Sequence, residues 1–323
     1  MQPAIDARNP AWPASWLPLT GIAYVATGRR FADEAAQAAA QLRKTNPSLP
    51  ICLITDQPDY QPVFWDHLVV VSNPHLGFRD KLLMGLCPYE RFLYLDTDTF
   101  VVGDITEMLG LLQRFDFVGH QLFEGHDCPL PGIPDAFPEF QGGVVGLRRS
   151  PATADFFPRW LASYDAQYAL NRDGHYDYSN ASDQKTLRLT VWQTGVSVGV
   201  IGPEYDFTPH HLDFACAPVR IIHGRGQANL VSLERRLNAQ LGNRIYVPSL
   251  DTVIHNDTLT PELRRLWVMV SLQLLRKAGV FLTPLALRNW LRRSALVRRA
   301  FLRNRFGEPA GSPDPKWHRP SSQ

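Results

Sequence analysis

Two carboxylates at the end of an apolar run are the strongest chemical signal in this 323-residue chain. Arg91-Phe92-Leu93-Tyr94-Leu95 reads as a buried strand, and it leads straight into Asp96-Thr97-Asp98. In a parallel sheet such a strand delivers its last residues to the carboxyl edge, where α/β folds place their ligands. Asp96 and Asp98 there can share one divalent cation bridging the two phosphates of a sugar nucleotide. The cation would neutralise the diphosphate as it leaves, which is Lewis-acid assistance to the departing group. Asp pairs also form turns, so the strand before them is what favours the metal reading.

The surrounding elements must put that strand in a parallel sheet. Gly21 to Thr27 predicts a buried strand closed by Gly28, and an alanine-rich helical pattern follows from about Phe31 to Lys44. Pro50 to Asp56 and Leu68 to Val71 predict two more strands, so the spacing is that of a βαβ unit with helices on the sheet faces. Phe78 to Gly85 reads as a helix before the acid-bearing strand. Further on, Phe115 to Gln121 predicts a strand, Cys128 to Phe137 a Pro-rich loop, and Gln141 to Leu147 a Gly-rich strand. A helix from about Pro151 to Ala169, a polar loop around Asn171 to Asn180 and a short helix opening at Ser182-Asp183-Gln184 come next. Strands near Val196 to Ile201 and Val219 to His223 complete the main body.

The segment FRDKLLMGLCPYERFLYLDTDTFVVGDI, followed in order by EFQGGVVGL, SDQ and IIHGRG, resembles the donor-binding core of GT-A glycosyltransferases. The likeness is to the family 8 and nucleotide-diphospho-sugar transferase group, and it spans roughly residues 20–230. It implies a GT-A (Rossmann-like) α/β fold and transfer of a hexose from a nucleoside-diphosphate sugar, most often a UDP-sugar, to a hydroxyl acceptor. It also implies His223 as a third metal ligand beside Asp96 and Asp98, and an Asp, Asp, His set suits Mn²⁺ better than oxygen ligands alone, with Mg²⁺ as the other choice. The resemblance places Thr27 and Asp56 at the nucleoside pocket, with Thr97 beside it. It places Arg79 or Lys81 on the diphosphate, and Gln141-Gly142-Gly143 against the donor sugar, where glycine permits close backbone approach. Two basic residues at spacing two cannot share a helical face, so one of Arg79 and Lys81 is expected to face the donor, with Lys81 preferred. Asp183 would hold sugar hydroxyls and Gln184 would lie at the anomeric carbon opposite the leaving phosphate, which implies retention. After His223 the chain departs from the family: its usual lysine-tryptophan element is absent, and Gly224-Arg225-Gly226 stands there instead. Arg225 can supply the phosphate contact or remain a solvated loop residue. Several of these positions also have local roles open to them, such as Asp56 in a turn before Gln57-Pro58 or Asp183 as a helix cap.

Composition fits an enzyme of ordinary globular make-up, 45% hydrophobic and 20% charged. The net charge of +2 hides an asymmetry: from Glu262 onward there are 13 basic and three acidic residues, leaving 20 and 28 for the rest. Thr260-Pro261 and Thr283-Pro284 each set a capping hydroxyl before a proline suited to a first helical turn, predicting helices over 261–278 and 284–304. On the second, Leu287, Trp290, Leu291, Val297 and Phe301 share a face opposite Arg288, Arg292, Arg299 and Arg303. A face pair of that kind suits an anionic membrane surface, and a lipid-linked glycan acceptor would fit it; packing on the catalytic domain or a dimer contact is the other use. No aromatic or glycine pattern of an RNA-binding module accompanies the charge, so nucleic acid is not an expected partner. The division expected is an N-terminal extension over 1–18, a catalytic domain over 19–257, basic helices over 258–306 and a disordered tail over 307–323. Cys52, Cys87, Cys128 and Cys216 form no CxxC pair, no signal-peptide pattern opens the chain, and no run of 18 apolar residues occurs. A cytoplasmic location, peripheral to the membrane at most, is expected. A sugar-nucleotide pyrophosphorylase would share the sheet and metal logic, but Thr27-Gly28-Arg29-Arg30 lacks its Gly-rich basic loop. A non-catalytic sugar-nucleotide-binding protein would have no need of the intact Asp96, Asp98, Asp183 and His223.

Overall fold

The computed structural model describes residues 4–60, 64–122, 130, 132–172 and 183–255, all within the unit Met1–Asn256. The helices expected over 261–278 and 284–304, the tail after 307, Ser182, the polar loop from 173 to 180 and Cys128, Pro129 and Pro131 of the Pro-rich loop lie outside the described residues.

An α/β fold with a helix-flanked, mostly parallel sheet is present, as the sequence predicts. Its strands are β1 (Ile5–Asp6), β2 (Leu17–Ala26), β3 (Ile51–Thr55), β4 (His67–Ser72) and β5 (Tyr89–Leu95), then β6 (Thr99–Val101), β7 (Phe117–Gln121), β8 (Phe140–Arg148) and β9 (Val198–Ile201). Eight of these make one sheet in the order β1-β4-β3-β2-β5-β8-β7-β9, in which β8 alone runs antiparallel to its neighbours. The helices are α1 (Arg29–Thr45), α2 (Phe78–Lys81), α3 (Thr106–Leu111), α4 (Phe156–Arg172) and α5 (Asp183–Thr194).

Side chains alternate across a strand, and the core divides accordingly. Ile22, Tyr24, Leu53, Leu93 and Leu95 enter one apolar cluster with Ala32, Ala35, Ala39 and Leu42 of α1 and Met108 of α3. Ala23, Val25, Cys52, Ile54, Phe92 and Tyr94 enter the opposite cluster with Phe156 and Trp160 of α4 and Leu187 and Val191 of α5. Both faces being covered explains why β3 is buried along its whole length. Gly28 turns the chain from β2 into α1 at φ 82°, a conformation that glycine adopts without strain.

The helix expected from Phe78 to Gly85 is only partly formed. α2 ends at Lys81, and a 3₁₀ segment covers Leu82–Leu86, all five residues of which are buried. Pro88 then pushes Cys87 into an extended conformation, at φ −54° and ψ 129°.

A smaller layer carries the late part of the chain. It comprises β10 (Asp213–Ala215), β11 (Ile221–His223), α6 (Gln227–Asn238), β12 (Arg244–Val247) and β13 (Thr252–His255). β10, β12 and β13 form an antiparallel sheet, while β11 pairs antiparallel with β6. Phe100, Phe207, Ile222, Leu230, Leu233, Leu237 and Tyr246 tie this layer together. In the β6–β11 pair His223 lies opposite Thr99, one residue past Asp98, so the pairing of two three-residue strands brings the late histidine to the acid pair.

Candidate active site

The two acids leave β5 at the sheet's carboxyl edge. Alternation puts Asp96 on the side of Tyr94, whose hydroxyl donates to Asp96 Oδ1. The Asp96 amide donates to the Gly143 carbonyl at 2.8 Å, and the Thr99 amide (3.1 Å) and hydroxyl (2.8 Å) return to the Asp96 carbonyl. That closes a tight turn around Thr97 and Asp98. The Gly224 amide donates to the Asp98 carbonyl at 2.9 Å, fastening the turn to the end of β11.

His223 completes the cluster. Its Nε2 lies 3.3 Å from Asp98 Oδ1 and 3.5 Å from Asp96 Oδ2, and one ligand atom of each residue falls within 4.8 Å of the others. Nδ1 lies 3.0 Å from Asp206 Oδ1. Burial opposes charge on His223, but hydrogen bonds to Asp206, Asp96 and Asp98 outweigh it and hold the imidazolium well above the usual histidine range. Two carboxylates and an imidazole nitrogen facing one point, with the other ring nitrogen on a carboxylate, fit a divalent metal such as Mn²⁺.

On the other side of Asp96 stands Lys81. Its Nζ is 3.0 Å from Asp96 Oδ2, 3.2 Å from Asp183 Oδ2 and 3.4 Å from the Gly142 carbonyl. Burial works against the ammonium, yet Asp183 and Asp96 together raise its pKa. Burial likewise opposes the Asp96 charge, and Lys81 first, then His223 and Tyr94, hold it well below the usual carboxylate range. Asp98 is lowered too, burial again opposing and His223 prevailing. Both acids are therefore ionised at neutral pH.

Arg79, two residues earlier, faces away. Its guanidinium makes a bidentate pair with Asp165 at 2.6 and 2.8 Å and donates to the Ala7 carbonyl at 2.9 Å. It is a structural tie and not a member of this cluster. A step of two residues on a helix turns a side chain to nearly the opposite face, so Lys81 is the one that meets the acids.

Three consecutive residues of β8 each meet a different partner. Gln141 Oε1 accepts from Gln184 Nε2 at 2.6 Å. A Cβ on Gly142 would stand 2.6 Å from Asp183 Oδ2, and one on Gly143 would enter the His223 ring. Gly143 is glycine to make room for His223, a nearer demand than approach of a sugar. Thr27 and Asp56 end β2 and β3 along the same edge. The Thr27 hydroxyl donates to Asp80 at 2.8 Å, and Asp56 accepts from the Gly28 amide at 2.7 Å. Thr97 donates its hydroxyl to Glu34 of α1, which also accepts from Arg225 Nε at 2.9 Å. The Arg225 guanidinium reaches to 3.5 Å from Asp98 Oδ2.

Three acids in this architecture were not singled out from sequence. Asp206 backs His223, Glu34 joins Thr97 to Arg225, and Asp80 accepts the His75 and Leu76 amides at 2.9 and 2.7 Å. Asp80 thereby holds Leu76 at φ 56°, which costs a leucine on the order of 1 kcal/mol. Asp80 had one visible cue, its place between the two basic residues of α2. Asp206 and Glu34 had none, since each acts on residues far away in sequence.

Neither a protein-family model nor a curated protein sequence matches the chain. Among solved structures it is similar to the galactosyltransferase LgtC in complex with donor and acceptor sugar analogues, at 16% identity and a TM-score of 0.45, over 64% of this chain and 88% of that one. It is similar to the glycosyltransferase GlyE of Streptococcus pneumoniae TIGR4 at 15% identity and 0.41, over 64% of this chain and 55% of that one. A third is mouse xyloside xylosyltransferase 1 at 12% identity and 0.40, over 64% of this chain and 98% of that one. The solved structures named here are all glycosyltransferases.

Proposed function

We propose that this protein is a metal-dependent, retaining glycosyltransferase that moves a hexose from a UDP-sugar to a hydroxyl acceptor. The observation that carries the reading is the convergence of Asp96, Asp98 and His223 within 4.8 Å at the carboxyl edge of a parallel sheet. Asp96, Asp98 and His223 would hold Mn²⁺ or Mg²⁺, which supplies charge neutralisation to the departing diphosphate. Arg225, reaching toward Asp98, offers that diphosphate a planar, bidentate donor. Lys81 pairs with both Asp96 and Asp183 and so fixes the two carboxylates relative to each other. The Asp183 carboxylate can then accept from donor-sugar hydroxyls, and Gln184, steadied by Gln141, presents its amide at the anomeric carbon. Thr27, Asp56 and Thr97 border the place for the nucleoside. In a retaining transfer the bond from the anomeric carbon to the diphosphate breaks and a bond to the acceptor oxygen forms on the same face. The acceptor proton leaves with the diphosphate oxygen.

Calorimetry with a panel of UDP- and GDP-sugars, with and without Mn²⁺, tests the donor site. Binding is expected for a UDP-sugar only with metal, and binding indifferent to metal and chelator would remove the metal from the reading. NMR of the first-formed product tests the stereochemistry: an α-linked donor is expected to give an α-linked product. A β product would withdraw the roles of Asp183 and Gln184 while leaving a transferase.

The acceptor side rests on charge. Among the described residues no helix is long and apolar enough to cross a membrane. The basic excess after Glu262 supports a lipid-linked acceptor reached from an anionic leaflet, each basic residue near the surface adding roughly 1 kcal/mol, weakened by salt. Full-length protein is expected to float with anionic liposomes, and protein truncated after Asp257 is expected not to while still binding nucleotide. Equal flotation of both, or of neither, would end the membrane part of the proposal.

A further inference from the structure

Asp206 has no exposed surface, and it follows the 3₁₀ turn Pro203–Tyr205. A carboxylate so buried loses several kcal/mol of hydration and must recover it from its partners. Its Oδ1 meets His223 Nδ1 at 3.0 Å, and its Oδ2 lies 3.9 Å from His120 Nδ1 on β7. The backbone holds the pair in register. Phe207 donates to the Ile221 carbonyl at 3.0 Å and His223 donates back to the Phe207 carbonyl at 2.8 Å, so residues 206 and 207 run beside β11. The Asp206 amide is tied to the Pro203 carbonyl at 3.2 Å. Asp206 is thus fixed behind the imidazole, on the side away from Asp96 and Asp98.

We propose that Asp206 is a positioning residue for the cation site. By accepting the Nδ1 proton of His223 it fixes the ring angle and the tautomer, leaving Nε2 as the nitrogen presented to the ion between Asp96 and Asp98. The inference rests on the metal reading above, and goes beyond it in naming a residue that never touches the ion. A carboxylate or carbonyl in this relation to a metal-bound histidine contributes a factor of about 10–100 in metal affinity. Asp213 supplies the comparison. It is a buried carboxylate in the same layer, satisfied by the Thr208 and Phe214 amides at 2.9 and 2.8 Å, and it makes no bond to His223.

The test titrates full-length protein with Mn²⁺ alone, reading affinity from the EPR signal of free Mn²⁺ and imidazole ligation from the ¹⁴N coupling of the bound ion. Wild type is expected to bind Mn²⁺ with that coupling. Asp206→Asn should weaken binding by about 10–100-fold, and Asp206→Ser, smaller but still able to accept one hydrogen bond, should weaken it and reduce the coupling. Asp213→Asn should change affinity by less than about threefold, being outside the ligand-orienting shell. If the Asp206 variants melt earlier yet bind Mn²⁺ as wild type does, with coupling intact, Asp206 is only a buttress and the inference is overturned. The same follows if Asp213→Asn weakens binding as much, for then local charge alone is responsible. Absence of Mn²⁺ binding in wild type would instead overturn the metal reading, and the two failures cannot be confused.

Discussion

Asp98→Ala is expected to remove the Mn²⁺-dependent part of nucleotide binding and to lower transfer by about three orders of magnitude or more. The size follows from the several kcal/mol that Lewis-acid assistance contributes to a transition state, at 1.4 kcal/mol per factor of ten. The fold should survive, because the Asp98 carbonyl, which accepts from Gly224, is untouched. His223→Ala should act in the same direction with a smaller loss, partly recovered at high Mn²⁺, since Asp96 and Asp98 remain. Steady-state transfer with and without chelator, set beside thermal melts, separates these outcomes. Full activity in excess chelator, or in the alanine variant, would contradict the metal model.

A larger structural effect is expected from Gly143→Ala, a substitution that adds a single methyl group. The added Cβ falls inside the His223 ring, so the imidazole has to leave its place. Backbone retreat is opposed by the pairing with β5: the Gly143 carbonyl accepts from the Asp96 amide at 2.8 Å, and the next residue is paired, Val144 with Leu95. Overpacking at such a site costs about 1–3 kcal/mol, and the displaced histidine should take Mn²⁺ affinity with it, by about tenfold or more. Gly142→Ala should behave differently. Its Cβ would meet Asp183 Oδ2 at 2.6 Å and Lys81 Nζ at 3.3 Å, the ends of side chains that can shift. Mn²⁺ binding should largely persist there while transfer falls, because Asp183 would be displaced from the donor sugar. Mn²⁺ titration and transfer rate measured on both variants decide the matter. Normal Mn²⁺ affinity in Gly143→Ala would show that His223 does not ligate from this position.

Much of the chemistry was legible because it rested on local pattern. A run of apolar residues ending in Asp96-Thr97-Asp98, preceded by strand, helix and strand, favours burial in a parallel sheet, which sends its carboxyl end to a ligand edge. Helix periodicity allowed only one of Arg79 and Lys81 to face the acids, and in the structure Lys81 lies 3.0 Å from Asp96 while Arg79 pairs with Asp165. The family resemblance added His223 as a metal ligand and Asp183 and Gln184 beside the donor sugar; in the structure His223 lies on one side of Asp96, Lys81 with Asp183 on the other, and Gln184 bonds Gln141.

What the sequence by itself determined, then, was the parallel α/β core and the identity of the acids at its edge. Strand alternation and helix period are set by neighbours within a few residues. The tertiary structure decided how those acids are completed and held. The layer of β10 to β13 with α6 consists of short strands of three or four residues, too brief to show a period, and its placement depends on the Phe100, Phe207 and Ile222 cluster. Asp206 reaches His223 only because that layer brings residue 207 beside β11. Glu34 reaches Arg225 across the fold at 2.9 Å, and Gly143 is forced to be glycine by a ring that arrives from the far end of the domain. Contacts of this kind depend on close packing between distant segments, and such packing exists only once the chain has folded.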